Sequence, residues 1–558
     1  MKFDHQKSVC RNKPVFWVRC LILSAAIAFL SSLPGLSLAS ETRIIGLGDS
    51  LTHGTMDATN NATNTLNAYL QKTVESLSAI APLQFTQPLY GFRENRLRPF
   101  LTPTNLGIDG SDIFSLEGIE YYKRVGAEVS YPTDAYFCDS RMPYQFQNDY
   151  DKVLFPLNHI AGKPVSQLDA ALALLNQQAA VQDGSALVFL WIGNNDSSLA
   201  ALGTGGSNPS YLPLPLTAIS AEISPALRTL LETAQAQGVM SFEPYTLAAI
   251  QRNLTETTDF TSQINHILER LHKENLLPQE RTIIMLLTLP YYSAVGYLFD
   301  SEDMEFYLQQ MNPAYRVPPT FQRVAQPGQP ITNPLGGDRI SFFTFASMFA
   351  LLQSGYSVED VNAILEKDGI QQDGLVMSET EQKVIMSRID SFNLAIKAAA
   401  QSYSNVYIAD VGTYLNSALG GIEPVTIGGR VLSRKWSRGN AFTLDGVHPA
   451  YTGQVLIANY LLGEMNRIFQ LNAPLIDLEQ TLATDPYIDW DGDGWVPGPA
   501  YPPIGLTELL FMLTDPDDTD PSVRATLPAN FWNRMSRILL RELIGKPGMQ
   551  QLADSLNF

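Results

Sequence analysis

Five short apolar or β-branched segments, separated by stretches of helical periodicity, limit this chain's fold more than any other feature of it. They are residues 43–48, the run that ends in Asn105-Leu106-Gly107, and residues 187–192, 282–289 and 406–411. Each is brief, nearly all apolar and followed by turn residues, which is the pattern of a strand buried on both faces. Between them, residues 64–77, 165–180, 216–236, 260–273 and 379–400 carry apolar side chains at helical spacing. Parallel neighbours need a crossover, and the crossover helix comes to rest on a face of the sheet. The alternation therefore predicts an α/β protein, an α/β/α sandwich on a five-stranded parallel sheet. No internal repeat and no low-complexity tract interrupts it.

Two regions stand apart from this alternation. Residues 291–378 form a large helical insertion between the last two strands. Its apolar core, from Phe342-Phe343-Thr344-Phe345 to Leu351-Leu352, reads first as a buried packing helix and second as a wall for an acyl chain. Beyond Pro474 the composition shifts toward Asp, Gly and Pro. Residues 475–558 are expected to form a small acidic module, ending in an amphipathic tail (530–556) with Arg534, Arg537 and Arg541 on its polar side. The main domain is then 40–474.

Residues 1–39 read as an export signal: a basic stretch to Arg19, an apolar run from Leu21 to Leu30, and Ser37-Leu38-Ala39 at the expected cleavage point. Ser31, Ser32 and Pro34 break the run short of the ~20 apolar residues that span a bilayer, so no stable membrane span is expected after cleavage. Export of this kind predicts a secreted, periplasmic or cell-surface protein, and export without disulfides is more typical of bacteria than of a eukaryotic secretory pathway. Only Cys138 of the three cysteines would remain, which leaves no internal disulfide and an inert, part-buried thiol. The chain carries a net charge of −19, and removing the +4 of residues 1–39 leaves −23. So acidic a body repels phosphate backbones and argues against nucleic-acid binding.

Three residue types in this sequence supply nucleophilic chemistry. Ser50, in Gly48-Asp49-Ser50-Leu51, lies on the turn after the first strand, where a hydroxyl is held at the sheet's edge. A serine needs a base within hydrogen-bond reach, and an imidazole needs a carboxylate to fix its tautomer. Asp445-Gly446-Val447-His448 places both on one loop, with Pro449 stiffening its exit. Of the other histidines beyond residue 39, His266 and His272 lie in a polar helical stretch, His53 follows the serine turn too closely to reach back, and His159 has no carboxylate near it in sequence. Gly110, after the second strand, and Asn195, in Gly193-Asn194-Asn195-Asp196 after the third, are candidate donors for a developing oxyanion. The serine turn, Gly110 and Asn195 all fall at C-terminal strand ends, where open α/β sheets bind ligands.

In content and order, these four segments resemble the blocks of the GDSL/SGNH hydrolase family, over roughly residues 41–469. The resemblance maps the family's signature residues to Ser50, Gly110, Asn195 and His448. It implies a flavodoxin-like sandwich and ester hydrolysis through an acyl-serine, with an oxyanion hole made by the Ser50 and Gly110 N–H groups and the Asn195 side chain. The chain departs from compact members in its long 196–445 spacing and in everything after Pro474. Thr52 stands where a Gly-x-Ser-x-Gly elbow needs glycine, which argues against an α/β-hydrolase, and no His-Glu-x-x-His occurs to support zinc peptidase chemistry.

Asp489-Trp490-Asp491-Gly492-Asp493-Gly494 matches the first half of a calcium loop, but Ala500 stands where the bidentate glutamate belongs. Glu508, after a proline-rich stretch, is the carboxylate expected to complete the set with Asp489, Asp491 and Asp493. The run to Asp520 is similar to bacterial thrombospondin type 3-like calcium repeats, which implies a structural calcium ion; an ion-free acidic turn is the competing reading. No cofactor is expected for catalysis. The leading expectation is an exported serine esterase acting on lipid or phospholipid acyl esters. A carbohydrate O-acetylesterase and a calcium-stabilised surface protein with a decayed hydrolase domain are the alternatives.

Overall fold

β1 (Thr42–Gly48) is an inner strand of the sheet, next to its edge, and is buried along almost its whole length. In this computed structural model the described residues are 41–93, 95–125, 136–138, 148–202, 225–236, 244–366, 374–504, 507–515, 518–522 and 525–544. The expected signal segment lies outside them, as do the first part of the 216–236 helix and the end of the tail. With β2 (Leu83–Gln84), β3 (Ser185–Trp191), β4 (Thr282–Leu287) and β5 (Val406–Ala409), β1 forms a five-stranded sheet in the order β5-β4-β3-β1-β2, parallel throughout. The class is α/β, and the 2-1-3-4-5 order is compatible with a flavodoxin-like sandwich.

Period two along β1 assigns its faces. Arg43 donates to the Leu174 carbonyl (2.9 Å) of α2 (Gln167–Ala179), whereas a Cβ on Gly46 would lie 2.5 Å from Leu70 of α1 (Tyr69–Leu77). Helices therefore cover both sides, as an all-parallel sheet requires. α3 (Thr257–Lys273) packs on α4 (Glu379–Ala400), and α5 (Tyr451–Phe469) packs on α1.

Two elements differ from the sequence expectation. Asn105-Leu106-Gly107 is not a full strand: the fifth strand is Leu83–Gln84, which pairs only with Thr42 and Arg43 of β1. After an excursion that contains Pro88 and a small hairpin, the chain returns to the same edge. There Gly46 donates to the Thr104 carbonyl, Leu106 to that of Gly46 and Ile108 to that of Gly48. The edge of β1 is thus served by two separate pieces of chain. The helix expected over 64–77 is likewise broken, into Ala62–Thr65 and Tyr69–Leu77. The Tyr69 N–H donates to the Gln454 side chain (2.9 Å), so a second helix starts there.

The insertion builds a three-stranded antiparallel sheet (Leu298–Phe299, Arg339–Ser341, Val376–Met377) and the helix Phe342–Gln353, whose first eleven residues are all buried. Phe299 stacks on Phe345 at 4.2 Å, and Trp436 and Trp495 pack edge-on nearby. Insertion, main domain and C-terminal segment therefore share one aromatic core. Beside it lies a buried charge cluster: Arg339 meets Asp300 at 2.9 Å, and Arg434 bonds both Asp300 and Asp303. Burial pushes the Asp300 carboxyl up, but Lys435, Arg434 and Arg339 outweigh it and hold it well below the usual range. Such a cluster contributes little beyond what a packed apolar core would, yet removing one member strands the rest. Asp300→Asn is expected to lower unfolding stability at pH 7 by ~3–5 kcal/mol, read from urea denaturation. In the parent protein, the contribution of Asp300 is present above the ordinary carboxylate pKa and is lost as the pH falls through its depressed value.

Candidate active site

Gly48 ends β1 with a φ of +156°, and a Cβ there would lie 2.2 Å from the Trp191 carbonyl oxygen of β3. Only glycine lets the two strand ends close to this degree. The chain then turns into the one-turn helix Ser50–His53, capped by Asp49, whose Oδ1 accepts from the Leu51 N–H (3.0 Å). Asp49 Oδ2 accepts from Asn194 Nδ2 at 2.9 Å, which ties the serine turn to the end of β3. Asp49 is fully buried, and burial pushes its carboxyl up to about 6 against the opposing Asn194 and Leu51 bonds. These two strands flank the topological switch point of the sheet, the usual ligand position in this architecture.

Ser50 and the Asp445 loop meet across 398 residues of chain. His448 Nε2 lies 3.0 Å from Ser50 Oγ, and His448 Nδ1 lies 2.7 Å from Asp445 Oδ2. Proton donation from Nδ1 to the carboxylate leaves Nε2 as the acceptor for the serine hydroxyl. The carboxylate itself is tightly held. Oδ1 accepts from the Val447 N–H (2.8 Å), the His448 N–H (2.9 Å) and the Thr443 hydroxyl (2.9 Å), while Oδ2 also accepts from the Ala58 N–H (2.8 Å). Burial alone would raise the Asp445 pKa; the His448 charge and these bonds reverse the shift and leave it lowered. For His448 burial acts downward, and Asp445, with smaller help from Asp109 and Asp49, brings it above the ordinary imidazole value.

A prop beneath this loop was not visible in the sequence. Asp57 and Ala58 both sit at positive φ (52° and 54°), a left-handed conformation uncommon for non-glycine residues. That geometry points Ala58 N–H at Asp445 and lets Asp57 Oδ1 accept from the Leu444 N–H (2.9 Å). Asp57 Oδ2 accepts from the hydroxyls of Tyr487 and Tyr501 (the latter at 2.7 Å), both from the C-terminal segment. Asp57 is pushed up to about 7 by burial and by Asp445.

Gly110 and Asn195 line the same cleft as Ser50 and His448. Gly110 has a φ of +72°, and among the described residues neither its N–H nor that of Ser50 donates a hydrogen bond. Asn195 opens the helix Asn195–Leu202, and its Nδ2 donates to the Ser111 carbonyl at 3.0 Å. Buried Asn105 fixes this corner by donating to the Thr52 carbonyl (2.7 Å). The cleft has a volume of about 410 Å³, and beyond this polar base its walls are apolar. Leu199 and Leu202 come from the helix after β3, Phe342 and Phe343 from the insertion, Leu415 and Leu419 from the chain after β5, and Leu510 from the C-terminal segment. The apolar helix of the insertion thus packs and also supplies a wall.

The acidic loop folds differently from expectation in one respect. Carboxylate oxygens of Asp489, Asp491, Asp493 and Asp518 lie within 4.8 Å of one another, and Glu508, in the helix Thr507–Leu510, is not in the group. The chain doubles back instead: Asp515 N–H donates to the Val496 carbonyl (2.9 Å), and the Trp490 N–H donates to Asp518 Oδ2 (3.0 Å). This brings the second acidic run, rather than Glu508, beside the first. Asp491 Oδ2, Asp493 Oδ2 and Asp518 Oδ1 are buried with no hydrogen-bond partner. Burial first, then the neighbouring carboxylates, push Asp493 up to about 6 and Asp518 to about 7. Cys138 is buried, and burial raises its thiol pKa. Among the described residues no helix is long and apolar enough to cross a membrane.

Two outcomes follow for the hydrogen-bonded chain. If His448 acts as the base, ester turnover requires it neutral, so the acid limb of kcat/KM should fall at a pH above the ordinary imidazole range. Asp445→Asn should remove the tautomer control and lower kcat by ~10³–10⁴-fold in steady-state assays. The sequence matches no family model and no curated protein, so function has to be argued from the geometry of the site.

Proposed function

We propose that the protein is an exported serine esterase of the SGNH type that hydrolyses long-chain acyl esters through an acyl-serine intermediate. The observation that carries this reading is the Ser50–His448–Asp445 chain, with contacts of 3.0 and 2.7 Å, at the base of an apolar cleft. In this mechanism Ser50 Oγ attacks the ester carbonyl while His448 Nε2 takes its proton. The N–H groups of Ser50 and Gly110 and the Asn195 amide receive the oxyanion. His448 then returns the proton to the departing alcohol, and water, activated by the same ring, releases the acid. Asp445 stays ionised throughout, orienting the ring and stabilising its charge.

Acyl length follows from the walls. A cleft of about 410 Å³ closed by leucine, tyrosine and phenylalanine side chains rewards burial of methylenes at roughly 0.8 kcal/mol each. This favours lipid acyl chains over acetate. Activity should therefore rise from acetyl to octanoyl model esters, and a preparation active on acetate alone would remove the lipid reading. Ser50→Ala should lower turnover by at least ~10³-fold with an unchanged Tm; undiminished activity in that variant would overturn the catalytic assignment.

A structural calcium ion held by Asp489, Asp491, Asp493 and Asp518 belongs to the same proposal. Ligands 2.3–2.6 Å from one ion lie at most about 5 Å apart, which suits oxygens grouped within 4.8 Å. The three unpartnered oxygens are the supporting observation. Millimolar calcium should raise Tm, chelation should reverse the rise, and Asp518→Asn should abolish it; an unmoved Tm in the parent protein would refute the site.

A further inference from the structure

Beside the cleft lies a second, smaller cavity of about 200 Å³, lined by His53, Asn60, Tyr90, Asp109, Asp149 and Lys152. It shares Ala58 and Asp109 with the wall of the cleft, so the two spaces adjoin next to Gly110 and the Asp445 loop. Its lining is polar where the cleft is apolar. His53, the last residue of the helix that Ser50 begins, is only 2% exposed. Neither of its ring nitrogens has a hydrogen-bond partner, and its nearest charge, Asp109 Oδ1, is 3.7 Å from Nδ1. A buried imidazole left in this state costs about 1–3 kcal/mol unless something in the cavity bonds to it.

We propose that this cavity is a subsite for the alcohol part of the ester, and that it takes a hydroxyl-bearing polyol such as a glycerol or sugar unit. The inference rests on the esterase reading for its orientation, with the acyl chain in the apolar cleft and the alcohol in the polar one. Burial lowers the His53 pKa, against the smaller upward pull of Asp109 and Asp149, so the ring is neutral and offers one donor and one acceptor. Asp109 is held in place by the Thr55 hydroxyl (2.7 Å) and Asn60 Nδ2 (2.7 Å), and its carboxylate keeps acceptor capacity. A donor, an acceptor and a carboxylate on one small cavity suit hydroxyl groups, each of which both gives and receives a hydrogen bond. Its volume accommodates several water-sized groups, the scale of a three- to six-carbon polyol.

Non-hydrolysable ethers test the subsite apart from catalysis. On the Ser50→Ala protein, 1-O-octylglycerol and octyl glucoside are compared with octyl propyl ether by titration calorimetry. At least one polyol ether should bind about tenfold more tightly than the propyl ether, the equivalent of 1.4 kcal/mol. Preference for the glycerol ether points to a lipid source, and preference for the glucoside to acylated sugars. Adding His53→Phe should erase the advantage, and His53→Gln, which keeps a donor and an acceptor, should restore part of it. Equal affinity for all three ethers means a cavity filled by water alone and overturns the proposal, even if the parent protein hydrolyses esters. A polyol advantage in a parent protein that cleaves no ester keeps the subsite and removes the catalytic reading. The comparison within Ser50→Ala stands whether or not the His53 variants fold.

Discussion

The Asp445 carboxylate is the point on which the site converges. It accepts from two N–H groups of its own loop, a hydroxyl, the N–H of Ala58 and the His448 ring. One carboxylate thus bonds the backbone of its own loop and the ring that the loop carries. The contact is also reciprocal: residues 57–58 bond to residues 443–445, and Asp57 in turn receives Leu444 N–H. Two successive left-handed residues cost of order 1–3 kcal/mol each, a strain that survives only where the surroundings over-determine it. Here those surroundings are the Asp445–His448 loop on one side and two tyrosines of the C-terminal segment on the other.

That segment is therefore part of the site's architecture. Tyr487 and Tyr501 hold Asp57, Trp495 fills the aromatic core beside Trp436, and Leu510 reaches the cleft wall. Asp485 Oδ2 accepts from the N–H of Thr452, in the first turn of α5 (2.7 Å). Read as sequence, residues 475–558 are too few to make a substantial core alone. The described part finds its core by joining one that the insertion and the main domain have begun. Its acidic group, Asp489, Asp491, Asp493 and Asp518, keeps three buried carboxylate oxygens without a hydrogen-bond partner.

Much of this was legible because it is local or periodic. Buried strands announce themselves by apolar composition, so β1, β3, β4 and β5 were readable, as was the helix 379–400, which has a serine cap and a Glu381 partner to mark its start. Ser50, Asp445 and His448 stand out in the sequence as a hydroxyl, a carboxylate and an imidazole on turns, and the structure brings the three side chains together. What sequence could not supply were the pairings between remote pieces of chain. The sheet edge is shared by Leu83–Gln84 and residues 104–108, and no propensity encodes such a division. Asp518 displaced Glu508 because the path of the proline-rich loop, not spacing along the chain, decides which carboxylate returns to Asp489. His53 lies too close to Ser50 along the chain to reach back to it, and its burial beside a second cavity has no signature in one dimension.

The distance along the chain between Ser50 and His448 has a temporal meaning. His448 follows Ser50 by 398 residues, with Tyr487 and Tyr501 later still. At roughly 5–20 residues per second, the serine waits about 20–80 seconds before its imidazole exists. A nascent chain that stops short of His448 therefore holds the Ser50 hydroxyl without its imidazole partner. Residues 57–58, bonded to the Asp445 loop, gain the Tyr487 and Tyr501 contacts later again, so the corner around Ser50 is completed by the parts of the chain that are made last among those that build it.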